Sequence, residues 1–470
     1  MASIRLQLVA RATDACWSLS GRVQRDMSST RLCWLLIVGV SLFLSALVCA
    51  PQAGAQNNAP QATSPTQPPP VLHYTLPPDK LQQSYALYLI EGVLYFVTTV
   101  WGFLVLYGML RTRFGARLRD LALRASRFRL VQAAIVMSLF FFVLQLVQLP
   151  FDAYGHHIGL QYGLSVQHWG SWFGDWAKNL ALALLGGSIA GWGLYALLRH
   201  SPRRWWFYFW LGTIPFVVFV IFIQPVWIDP LFNKFEPLSD RHADLVADLE
   251  RVVHRAGMEI PPQRMFEMKA SEKTTQLNAY VTGFGSTKRV VVWDTTMQHL
   301  DSPQTMFVFG HEMGHYVLGH IPKMLGIFLT LLLALYYFGY RLASWLVERY
   351  GAGWGIRDLS DWASFPLLFL LFSVLIFLAT PVVNGISRHY EHQADQYGLE
   401  VMHGLVPDSG RSAAQSFQIL GERSLDYPDV GKFAEFWLWS HPTIRDREVY
   451  AQTYDPWKEG QSPEFVNDAK

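Results

Sequence analysis

Six stretches of this chain are apolar over lengths that match a bilayer: 85–110, 130–149, 177–198, 205–227, 324–346 and 365–383. A helix rises about 1.5 Å per residue, so about 20 apolar residues cross the hydrocarbon core. Lipid offers no partner to backbone N–H and C=O groups, so apolar spans of this length must be helices. The feature predicts an all-α multi-pass membrane protein with the lipid bilayer as its surroundings. Composition agrees, with 51% of the 470 residues hydrophobic and 16% charged. A formal net charge of +2 gives no electrostatic reason to expect nucleic acid as a partner.

Five arginines (Arg5, Arg11, Arg22, Arg25 and Arg31) precede the apolar run "LCWLLIVGVSLFLSALVCA", and "AGAQ" follows it. Basic, apolar, then small residues is the order of a signal peptide or N-terminal signal anchor, expected over 1–55. The next residues are rich in Pro, Gln, Asn and Thr and cannot bury enough apolar surface to fold, which predicts a disordered linker over 56–80. The remaining chain divides into four transmembrane helices (81–227), a soluble loop domain (228–323), two transmembrane helices (324–387) and a C-terminal region (388–470). Cys16, Cys33 and Cys49 are the only cysteines. Thiol nucleophiles and thiolate metal ligands are thus excluded beyond residue 49. Within the loop domain, "HADLVADLERVVHRAG" places Leu245, Leu249, Val252 and Val253 at helical spacing, with Gly257 at the end. "STKRVVVWDT" reads as a short strand.

Loop charges predict orientation. Seven arginines lie in 111–129, with Arg199, Arg203 and Arg204 in a second connection and Arg349 and Arg357 in a third. The alternate connections hold only Lys80 in 56–84 and no Lys or Arg in 151–176. Short basic loops stay in the cytoplasm. Both soluble regions are then expected on the far side, which is the periplasm for a bacterial inner-membrane protein.

The chemistry-bearing residues lie at the membrane's doorstep. "DSPQTMFVFGHEMGHYVLGH" starts like a helix, with Ser302 as its cap, Pro303 in its first turn and Pro322 at its far end. On that helix His311 and His315 are about 40° apart and can converge on one metal ion. Glu312, beside His311, can reach a water at that ion. This is an HExxH arrangement, with two zinc ligands and a general base. On a continuous helix His320 lies about 180° from His311, so it is expected to take no part. Leu318 and Ile321 also stand where a three-histidine site needs Gly and His. "NGISRHYEHQADQYG" supplies the third ligand. Glu391 suits that role, and Asp395, on the same face, can accept a hydrogen bond from a ligand histidine. Arg388 shares that face and could pair with Asp395 or Glu391. His389 and His392 are rival ligands.

"PLFNKFEPL", "LNAYVTGFG", "VVVWDT", "GHEMGH", "SRHYEHQAD" and "SHPTIRDR" occur in that order along the chain. Together they resemble the integral-membrane zinc endopeptidases of the CAAX prenyl protease type. The resemblance implies long transmembrane helices around a large internal chamber, with a mostly helical zinc-metallopeptidase domain carrying a small β element. It implies one Zn2+ per chain, held by His311, His315 and Glu391. It also implies that Asn278 binds substrate backbone, and that His441 and Arg447 steady substrate or the oxyanion. "KRVVVW" could offer an edge strand to an extended peptide. The expected activity is hydrolysis of peptide bonds in membrane-anchored proteins or peptides. The eukaryotic members keep their zinc on the cytosolic face, opposite to the orientation expected here, so the resemblance does not carry prenylated substrates across. An HtpX-like quality-control protease would use the same chemistry on other substrates. A site-2-type protease would carry HExxH inside an apolar span, whereas Gln298, Asp301 and Gln304 precede His311 here. A transporter or chaperone with a structural metal would have no use for Glu312.

Overall fold

The computed structural model describes residues 73–283, 288–458 and 460–466. The expected signal segment, most of the expected linker and all three cysteines lie outside them. The first described helix, α1 (Pro78–Arg111), begins inside the stretch expected as linker, with proline in its first turn where a missing N–H costs nothing. It is followed by a connecting helix, α2 (Phe114–Ala125), and then by α3 (Arg129–Gln161), α4 (Trp169–His200) and α5 (Trp205–Ile223). A π turn at Gln224–Ile228 and a last helical turn at Asp229–Phe232 extend α5.

The soluble insert holds β1 (Phe235–Pro237), α6 (Ala243–Arg255), β2 (Met265–Met268), β3 (Ala279–Thr282), β4 (Arg289–Trp293), α7 (Asp294–His299) and α8 (Ser302–Val317). The amphipathic reading of α6 corresponds to burial of Val246, Leu249, Val252 and Val253. The four strands form one sheet in the order β1-β2-β4-β3. Val290 and Val292 of β4 pack toward Leu249, Met313 and Tyr397, while Val291 faces Met268 and Ala270. A strand covered on both faces reads as an unbroken apolar run. Paired with β2 along one edge and β3 along the other, β4 is an interior strand. The edge expected of "KRVVVW" belongs instead to β3, which pairs only with β4 among the described residues.

Asp301, not Ser302, caps α8. Its side chain accepts from the Gln304 backbone N–H at 2.9 Å, and the Gln304 side chain accepts from the Asp301 N–H at 3.0 Å. The Ser302 hydroxyl is turned to Asp248 of α6. The helix stops at Val317, and Gly319 follows with φ of +67°, a left-handed conformation that suits glycine. A new helix, α9 (His320–Trp354), starts immediately, with Pro322 in its first turn rather than at the end of α8. Then α10 (Phe365–Met402) runs 38 residues without interruption. It joins the last apolar stretch to the "EHQAD" segment in a single rod. The chain finishes with α11 (Ser409–Ser424), α12 (Lys432–Leu438) and α13 (Ile444–Thr453).

Among the described residues, six helices are long and apolar enough to cross a membrane: α1, α3, α4, α5 with its extension, α9 and α10. Only 6–28% of the residues in their apolar windows are buried within the protein. Helices so little covered by one another leave most of their apolar surface for lipid. At one end of the bundle, Arg119 of α2 meets Asp361 at 2.7 Å and the Gly355 carbonyl at 2.9 Å. The Arg119 and Asp361 side chains are 9% and 5% exposed, so the pair is a buried one.

At the other end α8 crosses α10 at very short range. A Cβ on Gly310 would meet Val401 Cγ1 at 2.9 Å, and one on Gly314 would meet Tyr397 Cβ at 3.0 Å and Ala394 Cα at 3.2 Å. From the other side, a Cβ on Gly398 would meet the His311 backbone nitrogen at 3.1 Å. Small residues four apart on both helices let the backbones touch.

Gly398→Val should weaken the α8–α10 junction by about 1–3 kcal/mol through overpacking, seen as a lower thermal midpoint in detergent. Gly339→Ala, whose new methyl meets Leu375 at an ordinary 3.6 Å, should leave that midpoint unchanged. Asp361→Ala removes the 2.7 Å partner of a buried guanidinium that keeps Asp120 and the Gly355 carbonyl, and should cost about 1.5–3 kcal/mol in the same assay.

Candidate metal centre and active site

The α8–α10 contact delivers three donor groups to one point. His311 and His315 come from successive turns of α8, and Glu391 comes from α10. Their ligand atoms all lie within 4.8 Å of one another. His311 Nε2 is 3.3 Å from His315 Nε2 and 3.3 Å from Glu391 Oε2, and His315 Nε2 is 3.5 Å from Glu391 Oε1. A tetrahedral ion with bonds of about 2.0–2.1 Å sets its ligands about 3.3–3.4 Å apart, so these separations fit a shared cation. Glu391 Oε2 is buried, yet it makes no hydrogen bond among the described residues. A carboxylate oxygen in that state needs a positive partner.

The nitrogens on the far side of the two imidazoles are held separately. His311 Nδ1 lies 2.8 Å from Asp395 Oδ1, and Asp395 is 1% exposed. Arg447 of α13 grips the same carboxylate with two nitrogens, Nε to Oδ2 at 2.8 Å and Nη2 to Oδ1 at 2.6 Å. Its guanidinium sits 4.5 Å from the centre of the Phe417 ring. His315 Nδ1 lies 3.1 Å from Nδ1 of His320. The expected 180° separation fails because α8 ends before Gly319, whose positive φ takes the chain out of the helical path. His320 is consequently buried against His315, although it does not join the three donors.

Glu312 points to the other flank. Its carboxylate accepts from the backbone N–H of Val281 on β3, and burial pushes its pKa up to about 7. The Trp293 N–H donates to the Asn278 carbonyl at 3.1 Å. Residues of that parity therefore bond to β4, while Ala279 and Val281 turn their N–H and C=O outward. The open edge of β3 thus runs past Glu312. Tyr316 fastens the end of that strand by donating to the Gly283 carbonyl at 2.6 Å. Asn278 stands three residues before Val281, about 10 Å along the strand. Thr296 Oγ1 bonds its backbone N–H at 2.8 Å and its carbonyl at 2.7 Å, leaving the side chain exposed.

His441 approaches from the C-terminal region, with Nε2 3.4 Å from Glu391 Oε2 and a side chain 54% exposed. The segment before it is held by α10. Asn384 donates to the Trp437 carbonyl at 2.7 Å, and Arg388 donates to the carbonyls of Glu435 (2.8 Å) and Trp439. Arg388 therefore serves this segment and does not pair with Asp395 or Glu391. His389 is exposed, and His392 packs tilted against Tyr450 with ring centres 4.3 Å apart. Neither belongs to the three-donor cluster. Sequence reasoning missed His320, Gln393 and the Asn384–Arg388 clamp. Of these only His320 had a local signal, the helix-breaking glycine before it.

Two carboxylates around two imidazoles demand positive charge. Burial disfavours it on His311, but the adjacent carboxylates of Asp395 and Glu391 outweigh burial and raise its pKa to about 10. Burial and the charge at His311 push His315 down to about 3, so it stays neutral. A divalent cation meets the same demand and displaces the His311 proton.

The comparisons with known proteins agree in both halves of the chain. Residues 239–452 match the model of peptidase family M48. Residues 59–234 match that of the CAAX prenyl protease N-terminal region, described as five membrane helices. A Bacillus subtilis (strain 168) protein described as an uncharacterized metalloprotease, YhfN, is 33% identical over 405 residues, covering 86% of this chain and 91% of that one. CAAX prenyl protease 1 of Saccharomyces cerevisiae is 28% identical over 327 residues, covering 64% of this chain and 68% of its own. The crystal structure of S. mikatae Ste24p shares the fold with a TM-score of 0.71 and 21% identity, over 88% of this chain and 96% of that one. The Bacillus relative, 33% identical over 86% of this chain, added to the two matching halves, settles the kinship: the chain belongs to peptidase family M48.

Proposed function

We propose that this chain is a zinc-dependent membrane endopeptidase that cleaves membrane-anchored proteins or peptides. The observation that carries the reading is the cluster of His311, His315 and Glu391, whose separations of 3.3–3.5 Å match a tetrahedral coordination sphere. A structural metal would explain those three residues but not Glu312, a carboxylate held by a strand edge and raised toward neutrality by burial.

In the mechanism, His311, His315 and Glu391 would hold one zinc ion. Zinc, when bound, polarises the scissile carbonyl and lowers the pKa of an attacking water. Glu312 accepts the proton of that water and returns it to the leaving amine. His441 donates to the developing oxyanion. Arg447 acts first through Asp395, which orients His311, and its charge also favours the oxyanion. The outward edge of β3 pairs with an extended substrate, and Asn278 holds substrate backbone where that strand begins. The kinship with proteins named CAAX prenyl protease 1 supports a substrate presented at the membrane. The loop charges support an orientation with the site on the non-cytoplasmic face, which is the periplasm for a bacterial inner-membrane protein.

Glu312→Gln should keep zinc and lose turnover by several orders of magnitude. Normal peptidase activity in that variant would refute the mechanism. His311→Ala should lose both zinc content and activity, and a chelator should inactivate the wild type reversibly. Glu312 is a base only when ionised, and a neighbouring cation lowers its pKa from about 7. The acid limb of kcat/KM should therefore fall below pH 7, with activity lost as pH drops through it. Orientation can be read by thiol labelling in a cysteine-free background. In intact cells an impermeant reagent should modify Asp240→Cys and spare Arg124→Cys; the reverse pattern would invert the topology.

A further inference from the structure

His320 lies at the start of α9 and is 1% exposed. Its ring rests against Tyr390 with centres 4.6 Å apart and meets His315 edge-on at 5.1 Å. Its Nδ1 is 3.1 Å from His315 Nδ1, and its Nε2 is 3.1 Å from Gln393 Oε1. Gln393 belongs to α10, two residues beyond Glu391.

These contacts fix where protons sit. An amide oxygen only accepts, so His320 Nε2 must carry a hydrogen. A neutral imidazole has one N–H, so His320 Nδ1 is then an acceptor. The nitrogen facing it, His315 Nδ1, must therefore be the donor. That leaves His315 Nε2 with a free lone pair, and Nε2 is the atom aimed at His311 and Glu391. The opposite order would put a hydrogen on His315 Nε2 and remove it as a ligand.

We propose that Gln393 and His320 form a neutral relay that locks His315 in its metal-binding tautomer, with His320 as a positioning residue. The inference rests on the zinc reading above. It gives the two histidine ligands different supports, a salt-bridged carboxylate for His311 and an uncharged chain for His315. It also gives α10 a second role, since the helix that supplies the third ligand also supplies the anchor of the second.

The test uses the full chain in detergent, zinc titrated against a chromophoric chelator, and the visible spectrum of the cobalt-loaded protein. His320→Leu removes the acceptor and should lower zinc affinity by about 10–100-fold, with a shifted cobalt spectrum. His320→Asn places a carbonyl oxygen near the site of Nδ1 and should stay near wild type in both. Gln393→Leu should give a smaller but measurable loss. Wild-type affinity in His320→Leu would overturn the proposal, as would His320→Asn failing as badly as His320→Leu. If His320→Leu does not fold, Gln393→Leu decides, and wild-type affinity there overturns it. A wild-type chain that binds no zinc would overturn the zinc reading itself and this proposal with it.

Discussion

The close crossing of α8 and α10 is the contact on which the rest of the site depends. Gly310, Gly314, Ala394 and Gly398 let two backbones approach until added methyl groups would collide. Only at that range can a carboxylate on one helix stand 3.3 Å from an imidazole on the other. The cost of bringing buried acids and imidazoles together is offset by packing around them, where Phe309, Met313, Tyr397 and Val401 form one apolar cluster with the sheet and α6. Arg447 then balances Asp395 from outside. Packing sets the distance, and electrostatics makes that distance suited to a cation.

The supports of the site come from three directions, and each is tied to α10. Asp395 holds His311, Gln393 holds His320, and Asn384 with Arg388 holds the segment leading to His441. Asn384, Arg388 and Asp395 share one face of that helix, and Gln393 lies on another. A rigid element that touches every other part of the constellation is a stronger organiser than a loop would be. The strand edge at Val281 is the one arm that reaches Glu312 without passing through α10.

Much of this was legible before any coordinates, and the reasons differ by feature. The spans announce themselves because lipid imposes length and apolarity on consecutive residues. The HExxH pair is equally local, since four residues on a helix are neighbours in space. Glu391 could be paired with it only because "EHQAD" has a distinctive pattern of its own. The strands around β4 were missed because they are three to five residues long and pair across distant parts of the chain. His320 was misplaced for a more instructive reason. A helical period was carried through Gly319, where the chain leaves the helix. The partners of Arg388 were invisible because they are backbone carbonyls, which every sequence has everywhere.

One consequence comes from the length of α10. The helix enters as a span and continues unbroken until it presents Glu391, eight residues or about 12 Å beyond the end of its apolar run at Val383. A stiff post planted in the bilayer fixes the height of the cutting edge above the lipid. For a substrate whose own anchor sits in the same bilayer, the scissile bond would be chosen partly by elevation, counted in residues from the anchor, as well as by the side chains around it.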